Sequence, residues 1–284
     1  MSSDAPVYCL LFTVRFPPAM PTRVAVLGLP YDASSSFLRG AAEAPPLIRR
    51  ALTSPSGNLW TESLVDLGAP DRLHDAGDAS IPEGVGAREK IEAAVAALLD
   101  RGFRPLSLGG DHSVTYPILR ALGPRYPRLT LVQFDAHPDL YDIFEGDRYS
   151  HACPFARIME EGLATRLLQL GIRTMSGHQQ EQATHFGVEV HDMRRWGDGP
   201  VLRIEGPVYV SFDLDALDPA FVPGVAHHEP GGLSVRQALD VIQRLPGPIV
   251  GADVVEYNPR NDVGGVTARV AAKLVKELAA RMLE

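Results

Sequence analysis

The stretch Leu129-Thr130-Leu131-Val132-Gln133-Phe134-Asp135-Ala136-His137-Pro138-Asp139 joins an apolar run to three metal-capable side chains at alternating positions. Leu129 to Phe134 has the length and composition of a buried strand. Where the backbone stays extended beyond it, Asp135, His137 and Asp139 project to one side, because side chains two apart share a face. Pro138 opposes a helix there and favours an extended His137. A strand that ends on such a group predicts a sheet whose strand ends build a site.

The same arrangement recurs on either side. Apolar strands are expected at residues 24–28, 64–67, 104–108, 167–170, 188–191, 208–212 and 249–255, separated by helical patterns. The helices are expected from about Pro45, then at residues 88–101, from Gly109 to about Leu122, and at residues 154–161, 179–186, 234–245 and 266–283. Ser234 is a sensible N-cap, and Val266, Val270, Leu274 and Leu278 form one stripe of the last helix. Alternation of near-continuous apolar strands with helices means an α/β fold with a mostly parallel sheet covered on both faces.

Polar residues cluster at the carboxyl ends of these strands. His112 follows the run ending at Leu108, Asp213 and Asp215 follow Phe212, and Glu256 follows Val255. In open parallel sheets these ends lie on one edge, where crevices form, so residues remote in sequence converge. Two like charges about 4 Å apart repel by on the order of 4 kcal/mol at an effective dielectric of about 20. Asp135, Asp139, Asp213 and Asp215 together therefore call for a positive partner. Four carboxylates with His112 and His137 suit two divalent first-row ions. With Asp135 and Asp213 as bridges, such a pair can acidify one water.

The 284 residues suffice for one large domain, 45% hydrophobic and 22% charged. No apolar run is long enough to span a bilayer. A formal charge of -8 provides no general basic surface for nucleic acid and suits a small cationic substrate. Cys9 and Cys153 make neither a disulfide framework nor a CxxC zinc site, which points to the cytoplasm. Val7 to Phe12 is apolar, but Asp4 precedes it and no basic segment or cleavage site frames it. Residues 1–20 are thus read as a loose extension, with Met20 a second candidate start, and residues 21–284 as a single domain.

Gly109-Gly110-Asp111-His112-Ser113, Phe134-Asp135-Ala136-His137-Pro138-Asp139 and Ser211-Phe212-Asp213-Leu214-Asp215-Ala216-Leu217-Asp218-Pro219 closely resemble the three signature motifs of the arginase/agmatinase ureohydrolase superfamily. The resemblance covers nearly all of the chain after Arg23. It implies a three-layer α-β-α fold, two Mn²⁺ per chain, a homo-oligomer (trimer or hexamer), and hydrolysis of a guanidino group to urea and an amine. By position, one Mn²⁺ would be held by His112, Asp135, Asp139 and Asp213, and the other by Asp135, His137, Asp213 and Asp215. Asp139 would also orient the attacking hydroxide. His151, in Tyr149-Ser150-His151-Ala152-Cys153-Pro154, looks like the family's proton-shuttling histidine, and Glu256 matches the carboxylate that pairs with the guanidinium.

Residues 140–150 are similar to the agmatinase branch and lack the Asn-containing stretch that holds the α-amino and α-carboxylate groups in arginases. Agmatine is therefore the expected substrate, with Asp142, Glu145 or Asp147 available to its distal amine. Guanidinobutyrate, arginine and formiminoglutamate are the alternatives within the chemistry. Two features depart from the pattern: Pro138 replaces a threonine, and Gly224 to Gly232 carries His227, His228 and Glu229 at the mouth, able to alter specificity or add a weak metal site. Outside this chemistry stand a mononuclear-zinc amide hydrolase of deacetylase type and a non-catalytic binding module.

Overall fold

The computed structural model describes residues 22–284; the N-terminal extension, Cys9 and Met20 lie outside them. One eight-stranded sheet runs through the described chain in the order β2-β1-β3-β8-β7-β4-β5-β6, with every neighbouring pair parallel. The strands are β1 (Arg23–Gly28), β2 (Leu73–Asp78), β3 (Phe103–Leu108), β4 (Thr130–Phe134), β5 (Arg166–Ile172), β6 (Glu189–Asp192), β7 (Val208–Asp213) and β8 (Ile249–Val255). The helices are α1 (Ala44–Leu52), α2 (Ala87–Asp100), α3 (Thr115–Leu122), α4 (Pro154–Glu160), α5 (Gly177–Phe186), α6 (Val235–Arg244) and α7 (Val266–Leu283).

Strand alternation divides the interior into two cores. Val24, Val26, Leu106, Val132, Phe134, Val210 and Phe212 face one way and meet α1, α6 and α7. Ala25, Leu27, Phe103, Leu131, Leu167 and Tyr209 face the other and meet α2, α3 and α4. The outcome is a helix layer on each face of a parallel sheet, as expected for strands that are apolar at every position. Phe134 and Phe212 stack at 4.8 Å between ring centroids, pinning β4 to β7 at the ends that carry the acidic residues.

One strand is placed differently from the sequence expectation. Residues 64–67 form no strand, and only an isolated bridge joins Trp60 to Asp66. The strand is Leu73–Asp78, a mostly polar edge that pairs with β1 alone and leaves most of its side chains half-buried or exposed. Among the described residues, no helix is long and apolar enough to cross a membrane.

The strand order positions the site. β3, β8, β7 and β4 are consecutive in the sheet although they are far apart in the chain, and each ends on a candidate residue. After β3 the chain must pass within touching distance of Tyr31. A Cβ on Gly110 would sit 1.7 Å from the Tyr31 carbonyl oxygen, so only glycine fits. The Gly110 carbonyl in turn accepts the Glu256 N–H at 2.8 Å, tying the β3 turn to the end of β8.

Candidate metal centre

The six predicted ligands converge around Asp135. His112 Nδ1 lies 3.1 Å from Asp135 Oδ2, 3.1 Å from Asp139 Oδ2 and 3.2 Å from Asp213 Oδ2. His137 Nδ1 lies 3.4 Å from the other Asp135 oxygen and 3.0 Å from Asp215 Oδ2. His112, Asp135 and Asp213 form one group with metal-ligand spacing; Asp135, His137 and Asp215 form a second. Asp135 is thus shared, one oxygen turned to each imidazole. Asp213 belongs to the first group only, since its Oδ1 accepts the Asp215 N–H at 2.8 Å.

The donor set fits a cation better than protons. His112 Nδ1 is buried and makes no hydrogen bond of acceptable geometry, although three carboxylates surround it. One proton could satisfy only one of those carboxylates, whereas a metal ion satisfies all of them. Burial pushes the Asp139 carboxyl up to about 6, with the Asp135 charge adding to it. Burial also raises Asp213 well above the carboxylate range, helped by Asp215 and Asp135. Asp135 is pushed up by burial too, but His112 and His137 outweigh this and hold it below its usual range. Such opposed shifts mark carboxylates crowded together without their counter-charge.

A buried network supports the first group from beneath. His112 Nε2 meets Ser211 Oγ at 2.9 Å, Ser211 donates to Asp253 Oδ1 at 2.7 Å, and Tyr209 and Thr115 donate to Asp253 Oδ2 at 2.7 and 3.0 Å. This fixes the ring so that Nδ1 faces the acidic cluster. Sequence reading passed over these residues; the signal was a serine and an aspartate inside otherwise apolar strands, where a polar group must be paired.

Glu256 and His151 stand beside the cluster. Glu256 Oε1 accepts the His112 N–H at 2.9 Å and also meets His151 Nδ1 at 2.9 Å. Oε2 has no partner among the described residues. His151 Nε2 receives the Ser36 N–H at 3.2 Å and meets Ser36 Oγ at 2.8 Å. Burial disfavours charge on His151, but Glu256, Asp111 and Asp139 outweigh it and raise the ring to about 9. The Ser36 N–H, which can only donate, pulls toward the neutral ring. Asp139 and Glu256 both sit at positive φ, 49° and 63°, where a side chain is strained.

A cavity of about 340 Å³ opens over these groups. Its floor is His137, Asp139, Asp213, Asp215, His151 and Glu256, and its wall includes Ser36, Tyr141, Phe144, Thr174, Ser176, Gln179 and His227. Of the departures at the mouth, only His227 faces the cavity. His228 Nε2 turns to the Pro223 carbonyl at 2.9 Å, and the Glu229 carbonyl accepts from Arg173. His227, His228 and Glu229 form no group with metal-ligand spacing.

The loop acids expected to meet a distal amine do not line the cavity either. Asp142 is held by Arg148 at 2.7 Å and by the buried Arg157 at 2.8 Å. Asp147 accepts the Tyr149 N–H, and Glu145 is exposed.

A model of the arginase family matches residues 22–280. A mitochondrial arginase of Medicago truncatula is 48% identical over 276 residues, 91% of this chain and 81% of that protein. An agmatinase of Bacillus anthracis is 32% identical over 281 residues, 94% of each. The solved arginase of Medicago truncatula matches with a TM-score of 0.87 at 44% identity, covering 92% of this chain and 88% of that one. The mitochondrial name of the Medicago protein overturns the cytoplasmic expectation, which rested on cysteine usage alone; a mitochondrial matrix protein is equally free to keep its thiols reduced. The agmatinase branch is likewise less supported than arginase. Fold, motifs and matched residues agree, and the chain is a ureohydrolase of the arginase family.

Proposed function

We propose that the protein is a manganese-dependent arginase, which hydrolyses L-arginine to L-ornithine and urea. The observation that carries this reading is the charge difference between the floor and the wall of the cavity. All carboxylates that line it lie at the floor, and the acids of the nearby loop are engaged by Arg148 and Arg157 or point to solvent. A bare distal ammonium such as that of agmatine finds no counter-charge at the wall, whereas the neutral zwitterionic end of arginine requires none. The greater identity to a named arginase than to a named agmatinase supports the same choice.

His112, Asp135, Asp139, Asp213, Asp215 and His137 would hold two Mn²⁺, whose bound water is activated near neutral pH. The protein's own groups do the remainder. The free Oε2 of Glu256 is suited to receive a guanidinium N–H, placing the guanidinium carbon over the floor. Its Oε1 keeps His151 Nδ1 oriented toward it. His151, drawn toward the charged form by Glu256 and toward the neutral form by Ser36, is placed to carry a proton to the leaving amine.

Urea release with Mn²⁺ over arginine, agmatine, guanidinobutyrate, guanidinopropionate and formiminoglutamate tests the proposal. Arginine is expected to have the highest kcat/KM; a preference for agmatine would refute it. Metal analysis should give two ions per chain, and one zinc per chain would favour the deacetylase-type alternative.

A further inference from the structure

Both ring nitrogens of His151 are engaged by the protein itself. Nδ1 meets Glu256 Oε1 at 2.9 Å, while Nε2 accepts the Ser36 N–H at 3.2 Å and meets Ser36 Oγ at 2.8 Å. The neighbouring His227 ring lies 5.4 Å away between centroids, tilted by 38°, and the two rings share no hydrogen bond. A proton leaving His151 therefore has two ways out, Glu256 and Ser36.

Only one of these groups can pass the proton on. Glu256 is an acceptor, and a carboxylate that took the proton would lose the charge that pairs with a guanidinium. Ser36 Oγ is donor and acceptor at once, lines the cavity, and has no partner other than His151 among the described residues. The two contacts at Nε2 also divide the states of the ring. The Ser36 N–H can only donate, so it holds the lone pair of the neutral imidazole. Glu256, Asp111 and Asp139 favour the charged imidazole, whose Nε2–H has Ser36 Oγ as its acceptor. The proton of the hydroxyl then turns away from the ring and is free to point into the cavity.

The loop that carries Ser36 is held firmly against the site. The Ser34 N–H donates to Asp111 Oδ2 at 2.9 Å, Ser35 Oγ donates to the same oxygen at 3.3 Å, and the Ser34 carbonyl accepts the His151 N–H at 3.1 Å. Asp111 is fully buried. Asp32 Oδ2 closes the loop by accepting the Gly40 and Ala42 N–H groups at 2.8 and 3.2 Å. A proton path needs short, fixed distances of this kind.

We propose that Ser36 is a catalytic residue whose hydroxyl relays the proton from His151 to the leaving amine. The Nε2–H bond breaks as Ser36 Oγ takes that proton, and the hydroxyl's own proton passes to the amine nitrogen, which keeps the electron pair of the broken C–N bond. His151 ends neutral, its lone pair again on the Ser36 N–H, and regains a proton from the water that the hydrolysis consumes. The relay rests on the reading of His151 as proton carrier given above and is independent of which guanidino compound is the substrate.

Ser36→Ala keeps the backbone N–H and removes only the hydroxyl. With the guanidino compound that the manganese-loaded enzyme hydrolyses fastest, kcat is expected to fall at least about tenfold while KM stays within about twofold. Bound manganese should remain at the wild-type level, and Ser36→Thr, which returns a hydroxyl, should recover most of the loss. Adding Ser36→Ala to His151→Ala should cost no more than about twofold further, because one relay can be cut only once. A smaller kcat loss in Ser36→Ala, or losses that multiply in the double variant, overturns the relay and leaves His151 as a direct carrier. Wild-type turnover in His151→Ala removes carrier and relay together. A preference for agmatine refutes the arginase reading alone, whereas no urea from any of the five compounds overturns that reading and the relay alike. Ser36→Gly carries the same comparison if the alanine variant fails to fold.

Discussion

The floor and the wall of the cavity are built by different rules. Apart from His151, the floor hangs from the ends of adjacent strands, most of its groups are buried and ionisable, and backbone hydrogen bonds such as Glu256 N–H to Gly110 O lock it together. The wall comes from loops and one helix start, carries hydroxyl, amide and aromatic groups, and is held by side-chain pairs such as Arg157 with Asp142. The contrast teaches that reaction class and substrate choice are separable in this molecule, because they are supported by different contacts.

The sharpest way to break the separation is at the shared carboxylate. Asp135→Asn should lower kcat by at least about a thousandfold and reduce bound manganese below two per chain. Retention of two tightly bound ions with full turnover would sink the bridging role. At the wall, Arg157→Leu releases Asp142 and should cost about 2 kcal/mol of stability. Its manganese content should stay at wild-type level while KM rises; loss of metal in this variant would show that floor and wall are coupled after all.

A finer test separates the floor from its own neighbour. In the metal-free protein His151 is raised to about 9 from an unfolded value near 6.5, chiefly against burial and through Glu256. A raised histidine stabilises fully below the unfolded value and loses that contribution as pH climbs through the folded one. Glu256→Gln should therefore be destabilised by about 2 kcal/mol at pH 6, a difference that fades above pH 9. A gap that grows with pH in denaturant melts would contradict the pairing. The smallest effect is expected at Cys153, a fully buried thiol pushed up to about 12, first by burial. Peptide mapping after alkylation at neutral pH should find Cys153 unmodified in the folded protein and modified after denaturation.

The sequence made the floor legible because buried strands announce themselves as apolar runs and the site begins where the run stops. Leu129 to Asp139 contains both signals, as do the ends of β3, β7 and β8. The edge strand Leu73–Asp78 was missed for the converse reason: it pairs on one side only and has few buried side chains, so no apolar run marks it. The wall was misread by composition. Asp142, Glu145 and Asp147 suggested a seat for an ammonium, but a sequence does not say which acids are already matched, and Arg157 lies fifteen positions from Asp142. Gln179 was passed over because a capping box looks the same whether or not a cavity lies beside it.

The left-handed backbone at Asp139 and Glu256 has a consequence for anyone who redesigns this chain. Glycine is the residue that relaxes such a conformation, so a library selected for thermal resistance alone should drift toward glycine at positions 139 and 256. Positions where hardier clones gain heat tolerance and lose urea release together would map where this scaffold gives up robustness for its chemistry.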